Sequence, residues 1–371
     1  MVPDVLIYAD TFRSPELRHE VPLGVPDPFL YAERDGVRHI AIGSMEVPRL
    51  AALGRYELHP SEELGLDELI ASGRSSEAIR EELQVRAVEA IGVAKAVVPA
   101  TFPLWLADRL RAEGVELTVD RALFDDRRRV KTAEEIAGIR RAQRAAEAGM
   151  DTCRELLRER GPAGGLTVEE VKAAMAVTFA AHGASADDFI VAPGAQGAVG
   201  HDMGSGPIRP GAPIVVDIWP RDNESFMFCD MTRTFVVGDV PDDVRRWHAL
   251  CKEALDATFA LVRAGVDGRI VFDAACAVFE AAGEPTLRTK TPGTTLADGF
   301  FHGLGHGVGL EVHEEPGMGL AVSPPFRAGD VVTLEPGCYR QGYGGVRLED
   351  LVLVTENGAE RFTDYPYDLT P

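Results

Sequence analysis

The segment Phe301-His302-Gly-Leu-Gly-His306-Gly-Val-Gly-Leu-Glu-Val-His313-Glu314 gathers three of the chain's nine histidines within twelve residues. Its glycines argue against a helix, because each costs about 1 kcal/mol relative to alanine there. His302 and His306 are therefore expected on open or tightly turned backbone. Read alone, the segment suits either a glycine loop with surface histidines or a set of imidazole ligands. Carboxylates elsewhere supply the rest of a constellation. Asp217 ends the predicted strand Pro213-Ile-Val-Val-Asp217, and Asp230 lies in the next one, Phe226 to Val237, with the polar turn Arg221-Asp-Asn-Glu-Ser225 between them. An antiparallel hairpin brings these two carboxylates close, where they repel unless a cation or a shared proton intervenes. Glu335, in Thr333-Leu-Glu-Pro-Gly337, and Glu349, in Val346-Arg-Leu-Glu-Asp350, each interrupt an apolar strand where a buried charge needs a partner. Singly, each of these acids also reads as a turn, edge or surface residue.

Upstream of this region, Thr132-Ala-Glu-Glu135 and Thr167-Val-Glu-Glu170 are capping boxes that open two helices, the first stopped at Gly161-Pro162. Helices are also expected at about 242–264 and 269–282, and late strands at Val331–Glu335 and Val346–Val354. Strands and helices that do not strictly alternate predict an α+β domain. The first third differs. Short β-rich runs (Val5–Tyr8, His39–Ile42, Ala96–Val98) alternate with helical stretches near 76–91 and 103–113, which predicts a small α/β domain. The charged stretch Asp125 to Lys131 puts the boundary near 128, giving domains 1–127 and 128–371.

At 371 residues the chain exceeds what one core usually serves, in keeping with two domains. Its 45% hydrophobic and 26% charged residues are those of a globular protein. A net charge of −21 repels phosphate backbones and anionic lipid, which excludes nucleic acid as a partner and favours cations. No run of 18 apolar residues occurs and no basic segment precedes an apolar stretch at the N-terminus, so neither a membrane span nor an export signal is expected. Five scattered cysteines without a Cys-x-x-Cys pair fit a reducing, cytoplasmic location.

Together, two Asp, two Glu and one His suit hard or borderline divalent ions such as Mn, Co, Fe or Zn. Four negative charges balance two such ions. A two-metal site can lower the pKa of a bound water towards about 7 and polarise a carbonyl, which is hydrolytic chemistry.

The ordered set Asp217, Asp230-Met-Thr-Arg-Thr-Phe235, His302-Gly-Leu-Gly-His306, His313-Glu314, Thr333-Leu-Glu335-Pro-Gly and Arg347-Leu-Glu349-Asp resembles the pita-bread metallopeptidases, which include prolidase and aminopeptidase P. The lead-in Val130-Lys131, Glu134-Glu135-Ile136 and Ile139-Arg140 resembles the start of that family's catalytic domain. The resemblance covers roughly 128–371, while residues 1–127 look only weakly like the creatinase-like domain that precedes it. It implies metal ligands Asp217, Asp230, His306, Glu335 and Glu349, with Asp230 and Glu349 bridging two ions, Mn2+ first and Co2+, Fe2+ or Zn2+ as alternatives. It further implies that Glu335 is the general base towards a bridging hydroxide, that His201, His302 and His313 line the pocket, and that the chain is a homodimer cleaving Xaa-Pro bonds in short proline-containing peptides. Arg347 reads as a charge partner for the carboxylates.

One feature departs from the pattern. After its first ligand the family has a small residue and a glycine, and its second ligand comes about two residues sooner. Here the sequence is Asp217-Ile-Trp-Pro220, with a spacing of thirteen. An even insertion lengthens a hairpin without turning a side chain to the other face, so both acids are still expected to converge. Two other readings follow from this departure and from the fold: a creatinase-like hydrolase of a different C–N bond, and a non-catalytic interaction module.

Overall fold

The protein is described here by a computed structural model covering residues 3–371. Two compact units are resolved, one ending at Arg128 and the other running Arg129–Pro371. In the first, six strands form one mixed sheet in the order Glu57–Pro60, Val37–Ile42, Phe29–Arg34, Val5–Ala9, Lys95–Val98 and Glu116–Val119. Both faces of its centre are covered. Leu6, Leu30 and Ala32 pack on one side and Val5, Ile7, Phe29 and Tyr31 on the other, so the central strands read as continuous apolar runs. The helix Ser76–Ile91 starts at Ser75, whose side chain accepts from the Ala78 N–H, and stops at Gly92 in the left-handed region.

The second unit opens with the 28-residue helix Ala133–Arg160, begun by the Thr132/Glu135 capping box, and the helix Val168–Ala181 follows from the Thr167/Glu170 box. These two pack on the sheet Met231–Val236, Pro213–Ile218 and Ile190–Pro193 through Met150, Phe179, Val191 and Val216. A second pair, Asp242–Phe259 and Gly268–Ala281, buries Trp247, Phe272 and Phe279 with Val332, Leu334 and Val352. The last two valines and the leucine belong to a five-stranded sheet, Glu314–Met318, Gly305–Gly307, Val331–Leu334, Asp350–Val354 and Ala359–Arg361. The bidentate pair Arg129–Asp330, at 2.9 and 2.8 Å, is buried at the start of that sheet.

Several boundaries differ from the sequence expectation. The strand expected from Phe226 begins only at Met231, so Asp230 precedes it; the strand expected to include Glu335 ends at Leu334; and Val346–Val354 is split, with Glu349 in the gap between Gly344–Arg347 and Asp350–Val354. All three acids thus sit at strand ends, where the chain can bend and a side chain can leave the sheet plane. The helix expected to reach 264 ends at Phe259, because Ala264 N and Gly265 N donate instead to Thr355 O and Phe326 O at 3.0 and 2.8 Å.

Candidate metal centre

The hairpin carrying the first two acids keeps a single pairing offset. Asp217 faces Thr232 and Ile218 faces Met231; after a break, Arg221 faces Phe228 and the Asp222 N–H donates to Met227 O at 2.9 Å. The longer turn thus extends the hairpin without flipping its faces, and Asp230, two residues before Thr232, shares a face with Asp217. The turn is held by Asp222, which accepts from Ser225 N and Oγ at 2.7 and 2.6 Å and is gripped by Arg141 at 3.0 and 2.8 Å. Cys229 points the other way and is fully buried in the core.

Neighbouring strands bring in the other acids. The Glu349 N–H donates to Thr232 O at 3.0 Å, and Thr232 Oγ1 donates to Glu349 Oε2 at 2.7 Å. Beneath them Arg233, 1% exposed, donates to the Thr232 and Glu349 carbonyls at 2.9 and 2.7 Å and pairs with Asp350 at 3.0 Å, which fixes the bend that presents Glu349. Glu335 is set by its N–H on Leu304 O, and His306 by its N–H on Thr333 Oγ1, at 2.8 and 3.2 Å.

Donor atoms of Asp230, His306 and Glu349 all lie within 4.8 Å of one another. His306 Nε2 is 3.9 Å from Asp230 Oδ2 and 3.5 Å from Glu335 Oε1. His306 Nδ1–H donates to Gly307 O at 3.1 Å, which leaves the Nε2 lone pair facing the acids. Asp217 adjoins the group and is held by Arg347 Nη2. Burial, then the repulsion of neighbouring carboxylates, raises Asp230 and Glu349 well above the ordinary acid range, and burial pushes Glu335 up to about 7. Burial, together with the neighbouring His313, lowers His306 to about 4, so its ring is neutral. Asp230 Oδ1 is buried without a hydrogen-bond partner. Four acids facing one buried arginine, with an orphaned oxygen and a free imidazole lone pair among them, fit a divalent-cation site: a cation satisfies all of these groups at once, whereas protons satisfy them only singly.

These groups share one cavity of about 510 Å³, lined also by His201, His302, His313 and Arg347. His302 is locked by a directed chain: Arg347 Nη1 donates to Tyr339 Oη at 3.0 Å, Tyr339 Oη donates to His302 Nε2 at 2.9 Å, and His302 Nδ1 donates to Gly303 O at 2.7 Å. Burial, reinforced by Arg347, lowers His302 to about 3. The His313 ring stands 4.2 Å from that of His306, and His201 is exposed at the mouth. Trp219, Met203, Phe301 and Val312 form the apolar part of the wall. Thr232, Arg233 and Tyr339 were not singled out from the sequence as site residues. The first two lie inside the Asp230-Met-Thr-Arg-Thr-Phe235 run, but Tyr339 carries no local signal and is recognised only by its contacts.

The family model for metallopeptidase family M24 matches residues 137–356. The chain belongs to metallopeptidase family M24. It is thus a metallo-hydrolase by family. Among curated relatives, the chain is 33% identical over 244 residues to a Xaa-Pro dipeptidase of Pyrococcus furiosus, covering 65% of each chain. It is 34% identical over 278 residues to a probable dipeptidase PepE of Mycobacterium tuberculosis, covering 73% of this chain and 68% of the other. The matched region thus spans about two thirds of the length of these relatives. Solved structures align over nearly the whole chain. An X-Pro aminopeptidase from Thermotoga maritima gives a TM-score of 0.81 at 21% identity, covering 99% of this chain and 97% of the other. The dipeptidase PepE of Mycobacterium ulcerans gives 0.75 at 28% identity, covering 99% and 92%. The architecture is therefore the expected α+β one, a pita-bread unit preceded by a smaller α/β unit. Among the described residues, no helix is long and apolar enough to cross a membrane.

Proposed function

We propose that this M24 protein hydrolyses the Xaa-Pro bond of short peptides with two divalent ions that Asp217, Asp230, His306, Glu335 and Glu349 would hold. The observation that carries the reading is the convergence of all five side chains on one cavity that also holds three further histidines. Ions bound there would supply an activated water and polarise the scissile carbonyl. Glu335, on the cavity wall beside His306, is placed to take a proton from the attacking water and pass it to the leaving nitrogen. His313 donates to the developing oxyanion and His302, held by Tyr339, fixes the pocket wall. His201 contacts the substrate at the mouth. Arg347 offsets the acid charge through Asp217 and keeps Tyr339 and Thr232 oriented. The names of the relatives support proline as the leaving residue, and a bond to proline lacks the N–H on which an ordinary peptidase site relies. Mn2+ as the resident ion, a cytoplasmic location and a homodimer belong to the same proposal; the five cysteines, all buried and unpaired, support a reducing compartment.

The test is release of the N-terminal residue from Ala-Pro, Ala-Pro-Ala and Ala-Ala-Ala by Mn2+-reconstituted protein, with Asp230→Ala as control. Cleavage of Ala-Pro alone identifies a dipeptidase, and preference for Ala-Pro-Ala an aminopeptidase. No cleavage by metal-replete protein would overturn the proline assignment and point to another C–N bond, with the Trp219 wall as the place to look.

A further inference from the structure

A second cluster of metal-ligating side chains lies far along the sequence from the M24 site, in the first unit. The parallel strands Val37–Ile42 and Glu57–Pro60 pair His39 with Glu57 and Ala41 with His59. Side chains two apart on a strand share a face, so His39, Glu57 and His59 all project to the same side of the sheet edge. His39 Nδ1 is 3.2 Å from His59 Nε2 and 3.4 Å from Glu57 Oε2, and the three donor atoms lie within 4.8 Å of one another.

Those spacings fit an ion better than a hydrogen-bond pair. In a tetrahedral site with metal–ligand distances of about 2.0–2.2 Å, ligand atoms lie about 1.6 times that apart, roughly 3.3–3.5 Å. The two contacts, 3.2 and 3.4 Å, lie close to that edge length. A proton on His39 Nδ1 can serve His59 or Glu57 well but not both; a proton on His59 Nε2 leaves the Glu57 carboxylate facing a lone pair. A cation satisfies all three. Burial, opposed in part by Glu57, keeps His39 below the ordinary imidazole range, which leaves the ring neutral and able to ligate. Arg34, whose charge acts on His39, is engaged with the Ile91 carbonyl and with Asp35. His39 is pinned in the sheet at 11% side-chain exposure while Glu57 is 65% exposed, so the position has both a rigid anchor and open access from solvent.

The geometry points to a separate mononuclear site for a borderline divalent ion of the Zn2+ class at His39, Glu57 and His59, with a fourth position open to water. Two imidazoles and one carboxylate select Zn2+, Co2+, Ni2+ or Cu2+ over Mg2+ and Ca2+. Such an ion clips the outermost strand of the sheet to its neighbour, a parallel pairing that is weaker per residue than an antiparallel one. The site stands independently of the peptidase reading, because none of its residues lines the M24 cavity.

The test counts ions on the full chain. Chelator-stripped protein is equilibrated with Zn2+, desalted and measured by elemental analysis, for the wild type, Asp230→Ala/Glu349→Ala, and each of these with His59→Gln added. The expected result is one Zn2+ fewer per chain whenever His59→Gln is present, in both backgrounds. Replacing Zn2+ with Co2+ should give the visible bands of a tetrahedral ion in Asp230→Ala/Glu349→Ala, absent once His59→Gln is added. Glu57→Gln, a solvent-facing change that leaves the fold alone, should weaken Zn2+ binding by more than the roughly 10–100-fold typical of losing an outer-shell partner. Equal Zn2+ counts with and without His59→Gln, or an unchanged affinity in Glu57→Gln, would overturn the proposal and leave a plain His–His hydrogen bond.

Discussion

If four acids converge because cations hold them together, then removing one acid should stabilise the protein once the cations are gone. Asp230→Asn is the sharpest form of this test, since it deletes a charge and keeps the shape. Asp230 is 4% exposed, its Oδ1 has no partner, and burial, then Glu349, Asp217 and Glu335, drive its protonation. A neighbouring carboxylate within 4.8 Å, as Glu349 is, costs at least roughly 3 kcal/mol at an effective dielectric of about 20. With Asp217 and Glu335 adding to Glu349 against one arginine, the group takes up a proton instead. That escape sets the ceiling. Holding a proton at pH 7 on a group whose ordinary value is 3.8 costs about 4 kcal/mol, and at pH 5 under 2 kcal/mol. The sign follows: a folded-state value above the unfolded one gives stability that is complete below pH 3.8 and lost as the pH rises. Asparagine suffers no such loss. Metal-free Asp230→Asn is therefore expected to exceed metal-free wild type by up to about 4 kcal/mol at pH 7, an upward Tm shift of roughly 8–16 °C for a unit of this size, with the difference vanishing near pH 4. Adding Mn2+ should reverse the order, because the wild type gains more binding energy than the variant. Thermal melts by circular dichroism, with and without chelator at the two pH values, read this directly. A metal-free Asp230→Asn that melts at or below wild type at pH 7 would refute the reasoning.

Three other outcomes are expected. Metal binding should release more protons at pH 6 than at pH 8, and bind more weakly at pH 6, because Asp230, Glu349 and Glu335 hold protons that the ion must displace; calorimetry in buffers of different ionisation enthalpy measures it, and equal release at both pH values would contradict it. Arg347→Lys keeps the charge but loses the fork that reaches Asp217, Tyr339 and Thr232, so kcat/KM for the peptide substrate should fall by roughly 10–100-fold while the melting curve keeps its shape. Asp330→Ala leaves Arg129 buried without its bidentate partner and should cost about 3–5 kcal/mol of stability, with the Mn2+ stoichiometry measured at low temperature unchanged.

Much of this was legible in local sequence because the signals were local. The Thr132/Glu135 and Thr167/Glu170 boxes specify their helices by side-chain caps within four residues, and both caps are formed. The glycine-rich histidine segment resisted a helix for a backbone reason that holds wherever it packs. The hairpin kept its register because an insertion of even length preserves alternation. What the sequence concealed depends on contacts between distant residues. Arg233 reads as an ordinary strand arginine until its partners, Glu349, Asp350, Tyr365 and Pro366, are seen around it. Tyr339 gains its role from His302 and Arg347, and His39 gains its neighbours only when the two edge strands pair. The placement of Asp230, Glu335 and Glu349 at strand ends was hidden for the same reason: apolar flanks continue the strand pattern past the point where tertiary hydrogen bonds bend the chain.

The central claim is that the buried acids and His306 hold two ions. Crystals of Mn2+-loaded protein, measured at the manganese absorption edge, test it most directly. Two anomalous peaks among Asp217, Asp230, His306, Glu335 and Glu349, about 3.5–4 Å apart, are predicted. A map without a peak between Asp230 and Glu349 in Mn2+-saturated crystals would contradict the account.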